Sequence, residues 1–120
     1  MSRYVLIRGW IECTFDQVAE IRSVVNAVAE HAKLEGVASE LVDSCMKGWS
    51  YPEAPINWIS LVLFGAQVNR VAVPLVRRMM EAVSKIGCEV EGLFYVDDDE
   101  GDESLRWDVN EGRIDVVSRV

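Results

Sequence analysis

The sequence predicts an α+β domain, and three observations carry that expectation. Two segments place apolar residues at helical 3–4 spacing between recognisable start and stop signals. Several runs of five to ten residues are rich in β-branched and aromatic side chains. Their order is strand, helix, strand, strand, helix, strand, followed by a terminal hairpin. That is the βαββαβ order of a ferredoxin-like sandwich, here with a C-terminal antiparallel hairpin extension. With 120 residues, half of them hydrophobic, residues 1–120 are expected to form a single domain around one core.

Tyr4 to Cys13 alternates: Tyr4, Leu6, Arg8 and Trp10 share one side, Val5, Ile7, Gly9 and Ile11 the other. Both sides are largely apolar, so a central strand is expected, with Gly9 admitting a bulge or a close neighbour. Thr14-Phe15-Asp16-Gln17 has the T-x-x-Q form of a capping box. It opens a helix with Val18, Ile21, Val25, Val28 and Ala32 inward and Gly36 as its stop. His31 and Glu35 lie one helical step apart and are expected at the surface.

Ala38 to Met46 reads as a weak edge strand. Lys47 to Pro55 reads as a loop, in which Trp49 and Tyr51 either fold over the core or serve as interface anchors. Ile56 to Phe64 is the most hydrophobic run and is expected as an inner strand, ending at a turn over Gly65 to Arg70. Pro74 fits the first turn of a second helix. Leu75, Val76, Met79, Val83 and Ile86 form its stripe, and Gly87 ends it. Val90–Val96, Ser104–Val109 and Arg113–Val117 complete the strands, the last two joined through Asn110-Glu111-Gly112.

Charge is placed unevenly. Residues 89–115 hold 11 acids and 2 arginines, a balance of −9, against −8 for the whole chain. Within that segment Asp97, Asp98, Asp99, Glu100, Asp102 and Glu103 crowd into seven positions. A field of this sign repels nucleic acid and attracts a basic partner or a cation. No apolar run approaches the ~20 residues of a membrane-spanning helix. The N-terminal segment lacks the features of a secretory signal, so a cytoplasmic location is expected. Cys13, Cys45 and Cys88 form no CxxC pair and are expected as reduced, mostly buried thiols.

Chemistry-bearing motifs are sparse: there is no phosphate-binding glycine loop, no GxSxG elbow and no HExxH helix. No catalytic residue, metal site or cofactor is therefore expected. Asp97, Asp99 and Glu103 offer hard oxygen ligands for calcium, but without EF-hand spacing. Three function classes follow: a protein that binds a basic partner through the acidic loop, a small ligand-binding domain or enzyme using the open sheet face, and a calcium-responsive adaptor.

Several segments together resemble the immunity protein 7 family of bacterial polymorphic toxin systems. They are Gly9-Trp10, the turn Gly65-Ala66-Gln67-Val68-Asn69-Arg70, Gly92-Leu93-Phe94-Tyr95-Val96-Asp97-Asp98-Asp99-Glu100, Arg106-Trp107-Asp108-Val109 and Gly112-Arg113-Ile114. Arg8 departs from the histidine expected before Gly-Trp, and the Asn-Arg turn also lacks a histidine. The resemblance implies a cytoplasmic, non-catalytic antidote of contact-dependent growth inhibition systems that neutralises one cognate toxin domain. Such a toxin is often an RNase or DNase with a basic cleft. On that reading Asp97, Asp98, Asp99, Glu100, Asp102 and Glu103 stand in for phosphates, with Trp49 and Tyr51 as secondary anchors. Nucleic acid itself and membrane are not expected partners.

Overall fold

A computed structural model describes residues 3–87 and 89–119. Its elements are β1 (Tyr4–Cys13), α1 (Phe15–Leu34), α2 (Ser39–Lys47), β2 (Trp49–Ser50), β3 (Ser60–Asn69), α3 (Val73–Ser84), β4 (Glu91–Asp98), β5 (Ser104–Asn110) and β6 (Arg113–Ser118). The protein is α+β, with three α-helices and one six-stranded sheet in the order β2-β3-β1-β4-β5-β6. Every neighbouring pair is antiparallel. A 3-10 turn, Arg70–Ala72, joins β3 to α3.

The helices pack on one face of the sheet, so each strand is divided by its two-residue period. Val5, Ile7, Ile11, Val62, Phe64, Val68, Phe94, Val96, Trp107 and Val109 point into the core beneath the helices. Leu6, Arg8, Trp10, Leu61, Leu63, Leu93 and Tyr95 occupy the opposite face, which no helix covers. Gly9 sits where β1 and β4 approach closely. A Cβ there would overlap the Leu93 carbonyl and lie 2.7 Å from the Phe94 Cα, so only glycine fits.

α1 follows its pattern closely. Gln17 Oε1 accepts a hydrogen bond from Thr14 N at 2.9 Å. Val18, Ile21, Val25 and Ala32 are buried, joined by Gln17 and Ala29, while Val28 is half-buried. At the other end Val37 N donates to Ala32 O and Gly36 N to Lys33 O, the two bonds that close a Schellman cap. His31 and Glu35 pair at 3.5 Å on the exposed side. The β5–β6 turn is two residues long, with Glu111 at φ 52° and Gly112 at φ 77°. Both angles have the sign required by a turn that follows strand twist.

Three expectations require correction. Ala38–Met46 is not a strand: Ser39–Lys47 is helix α2. Val42 and Cys45 are buried, with Leu41 and Met46 half-buried, and these four positions form one helical stripe. Second, the inner strand begins at Ser60, and Ile56 to Ile59 lie outside it with Ile56 95% and Trp58 83% exposed. Pro52 and Pro55 leave the preceding chain irregular, and the Asn57 side chain accepts from Ile59 N at 2.8 Å. Third, Gly65 to Asn69 is strand and not turn, because β3 pairs with β1 over ten positions from Ser60 to Asn69. α3 ends at Ser84 with Lys85 as its cap, before Gly87; Ile86 is half-buried beyond it, and Met80 joins the buried stripe. Cys13 and Cys45 are free and buried; Cys88 lies outside the described residues.

Candidate functional site: the acidic end of the sheet

β4 and β5 form a hairpin whose last ladder pair is Asp97 with Ser104. The strand carries two of the six clustered acids, and its alternation sends them to opposite faces. The remaining four belong to the short loop that closes the hairpin. The run is therefore not six equivalent solvated carboxylates.

Asp98 points to the helix side, and its side chain is 2% exposed. Its Oδ1 accepts from Asp102 N at 2.7 Å, and its Oδ2 lies 3.6 Å from the Arg70 guanidinium. Backbone bonds reinforce the latch: Asp98 N donates to Glu103 O at 3.1 Å, and Gly101 N donates to Asp98 O at 3.3 Å. Gly101 takes φ 76° at the tip. Buried charge of this kind is tolerated because it is both hydrogen-bonded and paired.

Asp97 points to the open face. Its Oδ2 accepts from Arg8 at 2.8 Å, its Oδ1 from Ser104 Oγ at 2.6 Å, and Arg119 reaches both oxygens at 3.0 and 3.2 Å. Partial burial opposes the charge. Hydrogen bonds from Ser104 and Arg8, with the positive charges of Arg119 and Arg8, outweigh it and hold this carboxyl below its ordinary range. Arg8 and Arg119 also lie over the Tyr95 ring, at 5.4 and 4.4 Å from its centroid.

Asp99, Glu100, Asp102 and Glu103 are the acids at the surface. Asp99 N donates to Tyr4 O at 3.1 Å, so the loop is tied to the start of β1. Glu103 meets Arg70 at 3.4 Å. Beside the loop, a cleft of about 290 Å³ opens between the first turn of α3 and the sheet. Val5, Val96, Leu105 and Trp107 are among its apolar lining, and Arg70, Arg77, Asp98 and Glu103 its polar residues. Trp107 is core, 2% exposed.

Trp49 and Tyr51 are not brought to this end. Trp49 sits in β2, separated from β4 by β3 and β1. It is 8% exposed and packs edge-on against Phe64 at 5.1 Å. Tyr51 stacks on it at 6.1 Å and lies under Arg22, 5.1 Å away. Burial pushes the Tyr51 hydroxyl up to about 12, against the pull of Arg22. Both rings thus fold over the core. Among the described residues, Trp49 Nε1 and Tyr51 OH have no hydrogen-bond partner.

The bracing residues Arg8, Ser104, Arg119 and Arg70 escape a reading of local motifs. Arg8 lies 89 positions from Asp97, and the signal that joins them is strand pairing: β1 sets Leu6 opposite Asp97 and Arg8 opposite Tyr95. Among the described residues no group of three or more His, Cys, Asp or Glu side chains is arranged to hold a metal ion. Asp97, Asp99 and Glu103 make no such group. What the site presents is a braced loop with a carboxylate surface and an adjoining apolar cleft.

No protein-family model, curated protein or solved structure matches this chain.

Proposed function

We propose that this chain is an immunity protein, similar to the immunity protein 7 family, that neutralises a basic toxin domain by stoichiometric binding. On this reading it is a cytoplasmic antidote and not an enzyme, and its target is an RNase or DNase whose cleft is built to hold phosphates. The β1-α1-β2-β3-α3-β4 portion is taken as a ferredoxin-like core, with β5 and β6 as the added hairpin. The order β2-β3-β1-β4 supports that assignment.

The observation that carries the proposal is the division of labour among the six acids. Asp97 on the open face and Asp98 on the helix side are engaged within the chain, by Arg8, Arg119, Arg70 and the loop backbone. Asp99, Glu100, Asp102 and Glu103 stand at the surface of a loop those contacts hold in shape, Glu103 beside Arg70. A pre-shaped anionic loop loses little conformational entropy on docking, and its charge steers a cationic partner toward it. The adjoining cleft has room for an apolar anchor side chain from the partner, giving the desolvated centre that charge alone does not supply.

The test is co-expression with the toxin domain encoded immediately upstream, scored by survival and by co-purification. The expected result is rescue with a 1:1 complex. Replacing Asp99, Glu100 and Asp102 by Asn or Gln should slow association about tenfold at low salt, and the difference should vanish at high salt, where the Debye length shrinks to ~3 Å. Absence of both rescue and complex would refute the antidote reading. An association rate indifferent to the three acids would refute the loop's role.

A further inference from the structure

We infer that the open sheet face seats a second copy of this chain, through a two-fold axis along the row Leu63–Trp10–Leu93. Residues 49–69 contain a single charged side chain, Glu53, in a protein of net charge −8. This neutral segment supplies β3 and the loop before it. Leu61 and Leu63 are each 47% exposed, and Trp58 and Ile56 are more exposed still. Exposed apolar side chains gathered along one sheet face in this way mark a contact.

The register identifies the occupant. Trp10 pairs with Leu63 on one side and Leu93 on the other, an apolar row across three strands that gives way in β5 to Asp108, paired there with Arg106. Two positions along β1 in one direction, Glu12 aligns with Leu61 and Glu91, so that row carries two exposed carboxylates. Two positions in the other direction, Arg8 aligns with Gly65 and Tyr95, and Arg119 lies over the Tyr95 ring; the two arginines share one carboxylate, Asp97, so this end keeps a net positive charge. Acids and arginines therefore flank the apolar row at equal distances. A two-fold along the row reverses strand direction and lays the Glu12–Glu91 row of one copy over the Arg8–Tyr95 row of the other, where Arg119 also lies. The face is complementary to itself, as an isologous interface requires.

The extent is also suitable. With the axis at Trp10, the positions from Ile7 to Cys13 overlap between copies; at ~3.4 Å along the strands and ~4.8 Å across three of them they give on the order of 340 Å² in flat projection. Protruding side chains raise the accessible area toward the ~800 Å² per partner of a stable interface. Sheets stacked this way pack ~10 Å apart with strands nearly aligned. The acidic loop begins six residues from Leu93 in the apolar row, about 20 Å away, so the dimer leaves both loops at its outer ends. The inference does not depend on the antidote proposal.

Sedimentation of the purified full chain between about 5 and 500 µM tests it. The expected result is a reversible rise from 13.5 kDa to twice that mass. Leu63→Lys should leave the chain monomeric throughout, and Glu12→Arg should weaken association at least tenfold. Leu34→Lys, at an exposed position on α1, should change nothing. Circular dichroism confirms folding, and if Leu63→Lys fails to fold, Glu12→Arg decides alone. A 13.5 kDa species at every concentration overturns the inference. So does a dimer indifferent to both substitutions, or a monomer that instead co-sediments with phosphatidylcholine vesicles.

Discussion

Replacing Asp98 by alanine should unlatch the acidic loop at a measurable cost, whereas the same change at Asp99 should be nearly silent. The Asp98 carboxylate accepts from Asp102 N at 2.7 Å, a charge-assisted bond worth about 1.5–3 kcal/mol. Its pairing with Arg70 at 3.6 Å, a side chain 37% exposed, adds no more than about 1 kcal/mol. Asp102 is exposed, so water takes over its N–H and keeps the loss near the lower end. The expected cost is about 2 kcal/mol, or roughly 6–10 °C in Tm for a domain of this size. Asp98→Asn retains an acceptor and should lose about half as much. Asp99 is exposed, and Asp99→Ala should stay within about 0.5 kcal/mol. Urea denaturation of the three variants gives the magnitudes, and amide exchange at Asp102 reports the latch directly. Equal stability of the Asp98→Ala and Asp99→Ala variants, with unchanged exchange at Asp102, would refute the reasoning.

Further outcomes follow from other residues. Asp97 has a depressed pKa in the folded protein, so its contribution is complete above the unfolded carboxyl value near pH 4 and is lost as pH falls through the folded value. Asp97→Asn should lower stability at pH 7 and flatten the acid limb below about pH 4, as followed by urea midpoints. Tyr51, raised to about 12, contributes stability below pH 10 that is lost as pH rises toward 12. Alkaline titration of phenolate absorbance should find one late tyrosine that Tyr51→Phe removes. Burial raises both thiols, Cys45 to about 11. Iodoacetamide at pH 8 should therefore label neither Cys13 nor Cys45 until denaturant is added, as read by peptide mass spectrometry. Gly9→Ala should abolish soluble expression or lower stability by several kcal/mol, because the new Cβ meets the β4 backbone and the buried Phe94 ring; a native Tm would contradict this.

What the sequence made legible depended on how many local signals agreed. α1 carried a cap, a stripe and a stop, and all three pointed the same way. α2 is nine residues, and Leu41, Val42, Cys45 and Met46 satisfy a two-residue alternation almost as well as a helical stripe. Over so short a segment only tertiary burial chooses between the periods. β3 was displaced for a different reason. Hydrophobicity marks where a chain has apolar side chains, not where they are covered, and Ile56 and Trp58 are apolar and exposed. Pairing with β1 fixed the strand from Ser60 onward and carried it through Gly65, whose outward position needs no side chain there.

The acidic run turns on the same distinction. Asp97, Asp98 and Asp99 are identical in sequence, yet one is braced on the open face, one is buried and one is at the surface. Extending β4 by two residues would have separated the first two by alternation alone. Their partners were out of reach, because Arg8, Arg70 and Arg119 arrive through pairing, chain reversal and the tail after β6. A cluster of like charges survives in a fold only when part of it is neutralised internally; otherwise each added acid raises the repulsion borne by the others. Asp97 and Asp98, held by three arginines, are what allow this loop to carry the remaining acids at its surface. If the loop binds a basic partner as proposed, changes at the bracing arginines should alter that binding even though none of them is required to touch the partner.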